Sequence, residues 1–308
     1  LCLGVEAVFA NGQVYNGLHN LFKDNTGYDV RSLLIGSEGT LGIITAANLR
    51  TYPIQEEKLV SIVQVLDVKE ALTLFRSLQD KLPDQIQAFE LISSQALEFL
   101  DLTGFNFKEP FKERSEWMVL VELSAPKYFD IRRVFERKLS EALEKGLVID
   151  AVISENEAQI NSMWYIRENI SEANKRVGAI VSSDISVPIF TIPDFIYRTK
   201  QKLIEIAPDL VVNCFGHIGD GNLHYNVFPT TGKTKKDYAL KVKEIKSAIY
   251  EVVTSLGGSI SAEHGIGRLK VEELLEHSDP GKLQAIKSIK RALDPHGILN
   301  PGAIVANF

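Results

Sequence analysis

The chain has 308 residues, 45% of them hydrophobic and 24% charged, enough apolar content for a folded core spread over more than one domain. A net charge of -6, with no basic run and no aromatics interleaved among cations, excludes the electrostatic footprint of a nucleic-acid binder. No apolar run reaches the roughly 18 residues that span a bilayer, the opening Leu1-Cys2-Leu3-Gly4 has no charged export signal, and Cys2 and Cys214 are no disulfide framework, so a soluble, cytoplasmic protein is expected.

The sequence opens inside a strand, 4–9, that turns at Asn11-Gly12, and so reads as continuing a longer domain. Gly36, Gly39 and Gly42 follow at a spacing of three, ahead of an apolar strand at 43–49. This is not the dinucleotide fingerprint; such glycines let a backbone pass close to a flat or phosphorylated ligand, or simply turn. A strand at 59–66 leads into Asp67-Val68-Lys69-Glu70, a helix start, with Leu72, Phe75 and Leu78 as its apolar stripe. Strands at 86–92 and 118–123, a helix at 130–145 and a strand at 147–153 complete the order βαββαβ, which predicts a ferredoxin-like antiparallel layer. Ser154-Glu155-Asn156-Glu157 caps the next helix, whose stripe runs through Ile160, Met163 or Trp164, Arg167, and Ile170 or Ser171. An arginine on an apolar stripe is either a carboxylate clamp or half of a buried ion pair. A strand at 185–187, a helix at 193–206, strands at 210–215 and 223–228, and a helix at 235–256 that stops at Gly257-Gly258 follow, then a last helix and a tail of turns. No internal sequence repeat is visible.

The densest chemistry lies in Gly216-His217-Ile218-Gly219-Asp220-Gly221-Asn222-Leu223-His224 and in Ala262-Glu263-His264-Gly265. His217 and His224 flank a hairpin, and with Glu263 they form a mixed nitrogen and oxygen set that suits zinc or a similar divalent metal with one position open. The alternative is a hairpin held by hydrogen-bonding histidines; Asp220 braces the turn. His264 carries an imidazole, whose ordinary pKa of about 6.5 suits a general base, or else supports the Glu263 carboxylate. Arg167 is placed to clamp a carboxylate through two parallel hydrogen bonds, with Ser171 one turn later on the same face. Asn226, two residues after His224, points to the same side of its strand, toward substrate or a ladder-end hydrogen bond.

Taken in order, the glycine segment 36–45, the His217 to His224 motif, Glu263-His264-Gly265 and Asn300-Pro301-Gly302 resemble the FAD-linked oxidase family of the vanillyl-alcohol-oxidase fold. Within it the chain is most similar to the D-2-hydroxyglutarate and D-lactate dehydrogenase branch. The resemblance implies an α+β fold: part of the FAD-binding domain over 1–54, a ferredoxin-like cap or substrate domain with the metal site over 55–285, and a tail, 286–308, returning to the flavin domain. It implies FAD held by Asn25, Gly36, Gly39, Thr40, Gly42, Ile44 and Asn300, and oxidation of a small D-2-hydroxy acid by hydride transfer to FAD. Metal assistance and His264 as base belong to the same expectation, as do a homodimer and an electron-transfer flavoprotein, quinone or cytochrome as electron acceptor. A eukaryotic source would imply the mitochondrial matrix. The pyrophosphate-binding half of the family's flavin domain has no match in the sequence, so weak flavin retention is expected. Ser182 stands where the hydroxyglutarate enzymes carry a lysine, and Ser171 where they tend to have threonine. Loss of a cation weakens attraction for a second carboxylate, which brings a monocarboxylate such as D-lactate into contention. A glycolate-oxidase type, an alkylglycerone-phosphate-synthase type and a non-catalytic metal-binding fragment are the alternative readings.

Overall fold

The structure, a computed structural model, describes residues 1–306. The chain divides into two compact units, one made of Leu1–Ile54 with the chain from Glu263 onward, the other of Gln55–Ala262.

In the smaller unit, β1 (Cys2–Val8) lies between β2 (Val14–Gly17) and β3 (Ile43–Leu49) in an antiparallel sheet of order β2-β1-β3. Helix α1 (Val30–Leu34) is capped by the Asp29 side chain, which accepts from the Ser32 amide. Val5, Ala7, Leu34 and Leu41 form the small core.

The larger unit runs β4 (Glu57–Val65), α2 (Val68–Gln79), β5 (Ile86–Ser93), α3 (Ser94–Leu102), β6 (Trp117–Ala125), α4 (Ile131–Glu144) and β7 (Val148–Ile153). It continues with α5 (Glu157–Val177), β8 (Val181–Ser186), α6 (Ile192–Ile206), β9 (Val211–Gly216), β10 (Asn222–Phe228) and α7 (Val242–Ser255). Its seven strands form one antiparallel sheet in the order β7-β4-β6-β5-β9-β10-β8. The first four strands realise the expected ferredoxin-like order. The other three repeat the same path: β8, α6, β9, β10 and α7 are followed by Ser259, which bridges to Ser186 beside β8 in the place of a fourth strand. The two halves are joined edge to edge where β5 pairs with β9, Leu91 opposite Gly216 and Ile92 opposite Phe215. This duplication is topological; the halves share a pattern of elements without a visible repeat of residues.

Strand alternation assigns the two faces of the sheet. Val63, Leu91, Val119 and Tyr225 pack with α2, α4, α6 and α7 through Leu74, Phe135, Phe195 and Ile249. Ile62, Ile92, Met118, Phe215 and Phe228 face the other way, with Leu97 and Leu100 of α3 and Met163, Ile166 and Ile170 of α5. Helix α3, which the sequence reading passed over, thus helps cover this second face, and the Phe99 and Phe228 rings meet edge-on at 4.6 Å. Strand β8 begins at Val181, earlier than its apolar residues suggest, because Val181 to Asp184 is held by its ladder with β10. The helix expected over 235–256 starts as a tighter 3-10 segment, Lys235–Lys241, opened by a Thr234 and Asp237 capping box.

After Glu263, α8 (Val271–His277) and α9 (Pro280–Leu293) complete the smaller unit, with Ile289 and Leu293 packed on its core. By compactness this second stretch of the smaller unit starts at Glu263, whereas the sequence reading draws the boundary at 285. The reason is local: the Ile266 and Gly267 amides are bound by Glu38. No helix of the described residues is long and apolar enough to cross a membrane.

Candidate functional site

Strand β10 alternates strictly. Leu223, Tyr225 and Val227 enter the core beneath α6 and α7, which puts Asn222, His224 and Asn226 on the opposite face. Residues directly opposite in an antiparallel ladder share a face, and His224 stands opposite both Asp184 and Phe215, Asn226 opposite Ser182 and Asn213. The alternation therefore gathers a polar patch on a sheet whose other face is hydrocarbon.

The turn joining β9 to β10 fixes its histidines. The His217 carbonyl accepts from the Asp220 and Asn222 amides at 3.1 and 3.2 Å. Asp220 takes the Asn222 amide at 3.2 Å and so braces the turn. Gly221 has φ 88°, and a Cβ there would lie 2.2 Å from the Val187 carbonyl oxygen, so no other residue fits. Asn222 donates to Asp184 at 2.8 Å and to the Ile185 carbonyl at 3.0 Å, locking the hairpin to β8. The Asn226 side-chain Oδ1 accepts from the Ser183 amide at 3.2 Å, the ladder role foreseen as its alternative.

A residue not singled out from the sequence lies at the centre. Glu90, in the middle of β5 with its side chain 1% exposed, accepts from Arg167 Nε at 2.7 Å and pairs with His217 Nδ1. Arg167 thus forms the buried ion pair that was one of its two readings. Its guanidinium lies over the Phe215 ring at 4.9 Å, and that ring is 4.9 Å from the His224 imidazole. Among the described residues Nη1 and Nη2 of Arg167 make no hydrogen bond, which leaves the end of the fork for a ligand. Burial pushes the Glu90 carboxyl up, but the His217 hydrogen bond and the Arg167 charge outweigh it and hold the group below the usual carboxylate range. Ser171 and Ser182 are both exposed.

Glu263 follows Ala262, whose amide donates to the Asp184 carbonyl at 3.3 Å. Cys214 is buried in β9 on the core side, where burial raises its thiol, so it offers no thiolate to a metal. A cleft of the larger unit, about 730 Å³, is lined by Trp117, Ile196, Tyr197 and Tyr225. It lies on the α6 side of the sheet, away from His224.

In the smaller unit the three remaining motifs meet on Glu38, a second residue the sequence reading passed over. Its carboxylate accepts from the Ile266 and Gly267 amides at 2.7 and 2.8 Å, and its carbonyl accepts from Asn300 Nδ2 at 2.6 Å. Gly265 must be glycine, since φ is 72° and a Cβ would stand 2.4 Å from Glu38 Oε1. Arg268 holds the other end of the Asn300 amide at 2.8 Å. Gly36 is left-handed, and nothing lies within 4 Å of where its Cβ would be, leaving room for a planar group against the loop. Ile44 is exposed on β3, and Asn25 lines a cleft of about 520 Å³. A Cβ at Gly42 would fall 2.9 Å from Leu34. The Thr40 hydroxyl closes its own turn onto Ser37 at 2.7 Å. Buried Lys290 donates to the Thr40 and Leu299 carbonyls, both at 2.8 Å, and pairs with Asp294.

Among solved structures, p-cresol methylhydroxylase with substrate bound aligns with all of the chain and 65% of its own, at a TM-score of 0.68 and 15% identity. A 4-ethylphenol oxidase from Gulosibacter chungangensis aligns over 99% and 66% at 0.63 and 16% identity. These share the chain's fold, the vanillyl-alcohol-oxidase fold. Residues 54–304 match the model for FAD linked oxidases, C-terminal domain, and the chain belongs to that family. The D-2-hydroxyglutarate dehydrogenase, mitochondrial, of Arabidopsis thaliana is 36% identical over 97% of the chain and 52% of its own length. The D-2-hydroxyglutarate dehydrogenase of Stutzerimonas stutzeri is 33% identical over 98% and 64%. The chain thus spans between half and two thirds of the length of these relatives.

Proposed function

We propose that the protein oxidises a D-2-hydroxy acid to the 2-oxo acid, with FAD as the hydride acceptor. The observation that carries this reading is the polar sheet face, where His224 stands opposite Asp184 and the free end of Arg167 lies over Phe215. Family membership and the names of the relatives support it. When bound, FAD would supply the acceptor for the C2 hydride and a divalent metal would supply the charge that acidifies the hydroxyl. Asp184, His224 and Glu263 are a group able to hold a metal ion, and its nitrogen and oxygen donors suit zinc. His217, one of the three ligands expected from the sequence, lies outside this group, where Asp184 stands instead, and is kept here as a further imidazole for the ion. His264 takes the hydroxyl proton, so that one proton and one hydride leave the alcohol. Arg167 holds the C1 carboxylate through Nη1 and Nη2, with Ser171 and Asn226 as neighbours of the substrate. Asn25, Gly36, Gly39, Thr40, Gly42, Ile44 and Asn300 line the flavin. The electron acceptor would be an electron-transfer flavoprotein, quinone or cytochrome, in the mitochondrial matrix of a eukaryote or the cytoplasm of a bacterium.

The relatives' names favour D-2-hydroxyglutarate as substrate. A second reading rests on Ser182, an exposed hydroxyl opposite Asn226 with no charge for a distal carboxylate, and favours a monocarboxylate such as D-lactate. Anaerobic addition of each acid to the protein carrying this chain, supplied with FAD and zinc, separates them by bleaching of the flavin band. Hydroxyglutarate bleaching first supports the dicarboxylate, lactate first the Ser182 reading. If neither D-acid bleaches a bound flavin, the proposed oxidation is wrong.

A further inference from the structure

We propose that Glu90 is the positioning residue of this site, a single buried carboxylate that sets both the His217 ring and the Arg167 guanidinium. The proposal rests on the reading of His217 as a metal ligand and of Arg167 as the carboxylate clamp. Glu90 sits in β5 between Phe89 and Leu91, both core residues, next to the seam where Leu91 faces Gly216 of β9. Burying a carboxylate there costs several kcal/mol unless its oxygens are matched. Both are matched, Oε2 by Arg167 Nε and Oε1 by His217 Nδ1.

The chemistry of the pairing dictates the geometry on offer. A carboxylate ion-paired with arginine only accepts, so the hydrogen bond requires the proton of His217 on Nδ1 and leaves the lone pair on Nε2. That is the tautomer a metal needs, with the carboxylate behind the ring fixing its orientation. Oε2 engages Nε of Arg167, and the ring of Phe215 supports the guanidinium plane. Only the Nη1 and Nη2 edge is then presented, so a substrate carboxylate is received end-on. One side chain therefore couples the metal ligand to the substrate clamp.

Glutamine at this position makes the distinction. Its single oxygen must serve Arg167, which is always a donor, and its amide nitrogen then donates to His217 Nδ1. The imidazole proton is driven to Nε2, the wrong tautomer for metal. Nitrogen-15 NMR of the imidazoles in metal-free protein, with zinc calorimetry, reads both effects. Wild type is expected to show the Nδ1–H form of His217. Glu90→Gln is expected to show Nε2–H, to bind zinc about 10- to 100-fold more weakly, and to raise KM for the hydroxy acid. Glu90→Asp, which keeps the charge but is one methylene shorter, should recover part of the zinc affinity. Wild-type His217 protonated on Nε2 overturns the proposal without any variant, as does zinc affinity in Glu90→Gln within twofold of wild type. Failure of every acid to bleach the flavin, with tautomer and zinc as expected, sinks the oxidation reading and leaves the coupling of Glu90 to His217 standing.

Discussion

His264→Ala is expected to lower kcat by about 10²- to 10⁴-fold, the range for loss of a general base, with kcat/KM falling in parallel. Zinc content and the flavin spectrum should remain those of wild type, because in the proposed site Glu263 binds the metal and His264 moves the proton. The backbone that follows His264 is held by Glu38. Gly265 takes its left-handed conformation against Glu38, and the next two amides bind the Glu38 carboxylate. These backbone contacts to Glu38 remain when the imidazole is removed. An interaction made only in the transition state lowers kcat and kcat/KM together, whereas a lost substrate contact raises KM alone. Steady-state kinetics beside zinc analysis check it; normal turnover would move the base to another residue.

Lys290→Met is expected to destabilise the smaller unit by about 3–5 kcal/mol, since it strands a buried carboxylate. Asp294 is fully buried and accepts from the Ile298 and Leu299 amides at 3.0 and 2.8 Å, while Lys290 ties the glycine segment at Thr40 to the tail at Leu299. Burial alone would raise the Asp294 carboxyl, but the Lys290 hydrogen bond and the two amides hold it below the ordinary carboxylate range. A depressed folded pKa stabilises above the unfolded value of about 4, and that stability is lost as pH falls through the folded value. The penalty in Lys290→Met should thus be full at pH 7 and shrink on acidification, because protonation neutralises the stranded group. Urea unfolding at pH 7 and at about pH 4 measures it, and a pH-independent penalty would contradict the assignment.

What the sequence revealed of this site follows physical lines. The hairpin was legible because it is local: alternation from Asn222 to Phe228, turn residues between, and apolar residues before His217. The first ferredoxin-like half was legible from its order of elements. The second was obscured because the polar start of β8 reads as loop and its fourth strand is reduced to Ser259. Asp184, Glu90 and Glu38 were missed because their partners lie far along the chain, across the β8 and β10 ladder, on α5, and in the turn after Glu263. Glu90 did leave a trace, one charge inside the apolar stretch Ala88-Phe89-Glu90-Leu91-Ile92. A charge at the centre of an otherwise apolar strand demands a buried partner, and Arg167 on its apolar stripe demanded another. Matching the two orphans joins β5 to α5.

X-ray absorption at the zinc edge of the metal-loaded protein tests most directly the claim that the polar sheet face is the catalytic surface. The account predicts nitrogen and oxygen ligands only, at about 2.0–2.2 Å with the signature of imidazole, and no sulfur at about 2.3 Å. Cys214 lies on the core side of its strand, out of reach of that face. A sulfur shell, or a protein that retains no zinc, would contradict it.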